Sequence, residues 1–218
     1  MRHYRNSAAI AALVLMGAGA LACSGSNTPA TPSSSNSTPP AGSTPPAGSG
    51  PSSAMLAIQL TDSPFSDAKA LLVTFSDVSV HSADPGDWKT LPFATGSSRT
   101  CDLKKLNGAT DVLGVGPLPT GKYTQVRLNV SSAVIYFDAP SAGGPCAPVI
   151  APPPGANAPV DIPSGEVKLN NEFTVSGSGT TMLLDFDGDQ SIHQTGGGNG
   201  SKNGKYMMSP VIRVVSVQ

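Results

Sequence analysis

The sequence predicts an all-β fold, an antiparallel β-sandwich of transthyretin-like or immunoglobulin-like type, over residues 54–218. Three observations predict it. Apolar residues alternate with polar ones in short runs, as on half-buried strands. Turn-forming Gly, Pro, Asn and Asp residues separate those runs at sandwich-like spacing. No strand–helix–strand rhythm occurs, so a parallel α/β sheet is not expected.

The first 22 residues read as a targeting segment. Arg2, His3 and Arg5 make a positive start, and Ala8–Leu21 is an apolar run too short to span a bilayer as a helix. The run ends Gly19-Ala20-Leu21-Ala22-Cys23, small residues before a cysteine, which resembles a bacterial lipobox with Ala20 where leucine is most usual. On that reading Cys23 is lipidated and anchors the chain to a membrane without a spanning helix. The alternative is an ordinary secretory signal cut near Ala22, leaving Cys23 a free thiol. Ser24 after the cysteine points, by analogy with enteric sorting, to the outer membrane. Residues 24–53 hold Ser, Thr, Pro, Gly, Asn and Ala, with no charge and no large apolar side chain, and nearly repeat themselves over Thr38–Ser49. Such composition cannot offset its ordering entropy and is expected to form a disordered tether.

The chain has three cysteines. With Cys23 at the lipid position, Cys101 and Cys146 remain as an even pair, and in an exported protein they are expected to form one disulfide. Removing residues 1–22 takes away Arg2 and Arg5 and no acid, leaving 11 basic and 14 acidic residues and a formal charge of −3. Nothing in that balance suits a phosphate backbone, so nucleic acid is not an expected partner.

Within the domain, Met55–Leu60 reads as a first strand, and Asp62 before Ser63-Pro64 as the start of a turn. Ala70–His81 alternates; both faces are apolar early in the run, so the strand is expected to be central there and one-sided later. Asp84–Asp87 is a turn, and Trp88–Leu91 the returning strand of a hairpin, with Trp88 expected to pack in the core or on the hairpin rather than to serve as a ligand platform. Thr100–Leu113 reads either as a short strand or as one or two helical turns ended by Asn107-Gly108, and residues 102–107 are the one place for a short helix. Leu118-Pro119-Thr120-Gly121-Lys122-Tyr123 feeds a half-buried strand, Thr124–Val130, and resembles a turn common in transthyretin-like and related β-sandwiches. That resemblance implies a Tyr123 packed inward with its hydroxyl tied to backbone, a tyrosine-corner arrangement. Ser141–Asn157 is a long loop. Val160–Leu169 and Glu172–Val175 are strands punctuated by Pro163–Gly165 and Asn170-Asn171. Thr180–His193 and Lys205–Val217 are expected to form a long β-hairpin with the acids at its turn.

Four pieces together are similar to one family: Leu60–Pro64; Val73–His81; Leu118–Leu128; and Leu184–Asp187 with Ser191–His193 and Pro210–Val214. They resemble the exported bacterial and archaeal domains grouped as domain-of-unknown-function family 4382, often carried on lipoproteins. The resemblance covers essentially all of residues 55–217. It implies an envelope β-sandwich and supplies no catalytic residue.

Two constellations carry candidate chemistry. Asp185, Asp187 and Asp189 would share one face of a strand, and oxygen clusters of that kind suit Ca²⁺. The EF-hand template fails, because its sixth position is Gln190 and its twelfth Gly196. The bland reading is one aspartate bonding turn amides while the others face water. His81 and His193 each end a strand beside acids, and would bind Zn²⁺ or Cu²⁺ if those ends met. No Gly-x-Ser-x-Gly, HExxH or phosphate-cradling loop is present. An acid–base pair such as Asp62 with Asp187 has no support in spacing, so no catalytic residue is expected. The leading expectation is a membrane-anchored, non-catalytic module of cell-envelope architecture or of binding to an extracellular protein or glycan, requiring no cofactor. The rival is a divalent-cation protein built on residues 185–193.

Overall fold

A computed structural model describes residues 52–63, 68–195 and 205–218. It is all-β: two sheets pack face to face, the larger one curled. The smaller sheet has the order β13 (Ile212–Val217), β10 (Thr180–Asp187), β1 (Ser53–Ser63), β5 (Asp111–Pro119). The larger runs β11 (Ile192–Thr195), β12 (Lys205–Met208), β8 (Asn157–Asp161), β6 (Gly121–Tyr136), β2 (Ala70–Ser82), β4 (Arg99–Asp102), β7 (Cys146–Ala147). β3 (Trp88–Thr90) adds to β2, and β9 (Glu166–Val175) to β6.

Period-two alternation builds the core between the sheets. Leu56, Ile58 and Leu60 of β1 and Met182, Leu184 and Phe186 of β10 are fully buried against Val73, Phe75, Val78, Val80, Val126 and Leu128 of the larger sheet. The start of β2 is two-sided, as its sequence implies: Leu71 and Val73 face the main core, while Ala70 and Leu72 join Tyr136 and Ile150 in a second cluster. The short helix is a 3-10 turn, Leu103–Leu106, capped by Asp102, whose side chain accepts from the Lys104 amide. The tyrosine corner forms: the Tyr123 hydroxyl donates to the Pro119 carbonyl at 2.8 Å, and the ring stacks on Phe173.

Four details differ from the sequence expectation. Two ladders are parallel, β1 with β10 and β12 with β8, so neither sheet is wholly antiparallel. Asp62 does not start a turn; β1 runs on through Ser63 because β10 pairs with it to the end, Asp62 opposite Phe186. Asn170-Asn171 does not end a strand, since β9 absorbs the pair in a register shift against Tyr123 and Gln125. The long hairpin is split between sheets. β10 pairs with β13 in the smaller sheet, and β11 with β12 in the larger. A helical turn, α1 (Gly188–Ser191), makes the switch, fastened where the Ser191 hydroxyl accepts from the Val211 amide at 2.8 Å.

Candidate functional site

The acids therefore lie not at a hairpin tip but where β1 and β10 end together against α1 and the 3-10 turn. Each is engaged differently. Asp185 is buried and accepts from Arg213 Nη2 at 2.5 Å and from the Ser63 hydroxyl at 3.0 Å. Asp187 caps α1: its Oδ1 accepts from the Gln190 amide at 3.0 Å and its Oδ2 from Gln190 Nε2 at 2.6 Å. Asp189 is exposed in the first turn of α1. His193 is exposed on β11, opposite Met207.

His81 stands elsewhere. Its Nδ1 lies 3.1 Å from the Thr124 hydroxyl, and its ring meets Trp88 edge-on across the β2–β3 hairpin. It sits beside Gln125 of β6, whereas β8, and beyond it β12 and β11, join β6 only at Val134–Tyr136. The run from Gln125 to Val134 is about 30 Å of strand, so the two histidines do not meet. Among the described residues no three His, Cys, Asp or Glu side chains are grouped to hold a metal. Cys101 and Cys146 form a disulfide that joins β4 to β7 and fastens the long loop. Cys23 lies outside the described residues.

The group that the turn reading of Asp62 missed is its carboxyl. It is 4% exposed, and among the described residues neither of its oxygens has a hydrogen-bond partner. Burial is the main cause that pushes its pKa up, to about 8; Asp185 and Asp187 nearby push the same way, while Lys104 and the Gly188 amide, which lies outside hydrogen-bond geometry, oppose. A signal for it existed. Position 62 continues the inward phase Leu56, Ile58, Leu60, so a strand carried two residues further points the carboxyl at the core. The structure thus brings Asp62 and Asp187 to one end of the sheet, which spacing gave no reason to expect.

The opposite, outer face of the larger sheet carries a second polar cluster. The Arg127 guanidinium lies 4.1 Å from the Trp88 ring centroid, its Nε donates to Ser79, and it pairs with Glu166, which also meets Lys168. Of the two packings open to Trp88, the structure has it on the hairpin and not in the core.

A family model described as a domain of unknown function (DUF4382) matches residues 53–210. No curated protein and no solved structure matches the chain.

Proposed function

The chain belongs to the DUF4382 family, and from that premise we propose that it is a lipid-anchored lipoprotein of the bacterial outer membrane. Its β-sandwich works there as a non-catalytic module of envelope architecture or of extracellular protein or glycan binding. The observation that carries the reading is the sequence Gly19-Ala20-Leu21-Ala22-Cys23 after a basic start and an apolar run. The Cys101–Cys146 disulfide supports export, because such bonds persist in oxidising compartments and are rare in the reducing cytosol. The uncharged Ser-, Pro- and Gly-rich stretch between Cys23 and β1 suits a spacer between anchor and domain.

The test is made in a bacterial host fed a labelled fatty acid. The full chain is expected to take up label and enter the detergent phase on partitioning, and Cys23→Ser to lose both. An unlabelled chain whose partitioning ignores Cys23→Ser overturns the anchor. Turnover of a hydrolase or glycosidase substrate panel, abolished by one carboxylate substitution, overturns the non-catalytic half.

A further inference from the structure

The carboxyl of Asp62 sits in a junction that has no use for a charge. β1 is held there by its neighbours on both sides. The Thr61 hydroxyl lies within hydrogen-bond reach of the Leu106 and Ala109 carbonyls at 3.0 and 2.8 Å, Asp62 bridges Asn107, and Ser63 pairs with Asp187. Leu103 and Leu106 of the 3-10 turn are fully buried beside it.

The charged groups around the junction do not compensate an anion. β10 contributes Asp185 and Asp187, the first already neutralised by Arg213 of β13 and the second capping α1. α1 itself carries Asp189. The 3-10 turn contributes Lys104, which acts on Asp62 more weakly than burial does, and Lys105, whose Nζ donates to the Gly143 carbonyl. On the β5 side, Asp111 lies opposite Leu60 and is paired with Arg99 at 2.7 Å. A neutral carboxyl suits this place; a carboxylate does not.

We propose that Asp62 couples closure of the junction between β1, the 3-10 turn and α1 to the uptake of one proton, so that the junction opens more readily as the surroundings become less acid. When closed, the side chain is a carboxylic acid. On opening it reaches water and releases its proton to solvent, becoming an ordinary exposed carboxylate. The device rests on the fold alone and not on the envelope reading.

The experiment is hydrogen–deuterium exchange on the detergent-solubilised full chain from about pH 5.5 to about pH 9, spanning the folded carboxyl's pKa of about 8, corrected for intrinsic exchange rates. Peptides covering the 3-10 turn and α1 report the junction, and peptides of β6 the remote core. In the native chain junction protection is expected to fall by up to about tenfold per pH unit, the limit for one proton released on opening. In Asp62→Asn it is expected to stay flat, and an infrared band of a protonated carboxyl present at pH 7 should disappear. Lys104→Gln provides a second arm, since loss of that cation should carry the fall in protection to higher pH. Equal pH profiles in the native chain and Asp62→Asn, an unchanged infrared band, or no movement in Lys104→Gln overturns the proposal.

Discussion

At the scale of single residues, Asp62 sets a stability term of unusual sign. A carboxyl whose folded pKa stands near 8, against an ordinary 3.8, binds more protons folded than unfolded. The contribution of Asp62 to stability therefore falls as pH rises from about 4 to about 8, by at most about 1.4 kcal/mol per unit, and levels off above. Most carboxylates, ion-paired in the native state, act the other way. Asp62→Asn is expected to raise the melting midpoint at pH 8 and to leave it little changed near pH 4, as read by calorimetry across that range. Tyr123 shows the more familiar case of a buried polar group that is satisfied. Tyr123→Phe leaves the Pro119 carbonyl without its donor and should cost about 1–2 kcal/mol in denaturant titrations.

At the scale of elements, the connections matter more than the strands. β7 is two residues long and is held by the disulfide to β4. The bond spans a sequence separation of 45, so in the chain-entropy view its loss costs up to about 4 kcal/mol. The double substitution Cys101→Ala, Cys146→Ala is expected to lower the denaturation midpoint without changing the far-ultraviolet spectrum of the main sheets. β5 depends on a glycine for a different reason. The Val115 amide donates to the Pro92 carbonyl at 3.0 Å, and a Cβ on Gly116 would come within 2.8 Å of Pro92 Cδ. Gly116→Ala must push the connector after β3 away from β5, and a loss of about 1–3 kcal/mol is expected in denaturant titrations. The same scale accounts for the split hairpin. Asp187 caps a helical turn at Gly188, and the Val211 amide is taken by Ser191, so neither chain can continue straight into one ladder.

At the scale of the whole molecule, the first strand is the keystone of the smaller sheet. β1 lies between β10 and β5, and its pairing with β10 joins residues far apart in the chain. Ile58 is fully buried there, and Ile58→Ala should cost about 2–5 kcal/mol. A fold so dependent on distant pairing is expected to refold from denaturant, disulfide intact, in milliseconds to seconds rather than microseconds, which stopped-flow fluorescence of Trp88 can follow.

The all-β class, the central two-sided strand and the pairing of Cys101 with Cys146 are legible in the residues. The tyrosine corner is implied by the resemblance of Leu118–Tyr123 to a known turn, and Thr100–Leu113 leaves strand and helical turn both open until the fold is seen. The signals that are legible are mostly local: alternation in Ala70–His81 and a glycine turn before Tyr123. The choice of strand partners is not local. The tertiary structure inserts β1 parallel to β10, divides the last forty residues between two sheets, places His81 and His193 on different parts of the larger sheet, and buries Asp62 beside Asp187. Local periodicity records which face of a strand is buried. Pairing between segments more than a hundred residues apart is settled by how all the buried faces pack at once, and that information is in no single stretch of the chain.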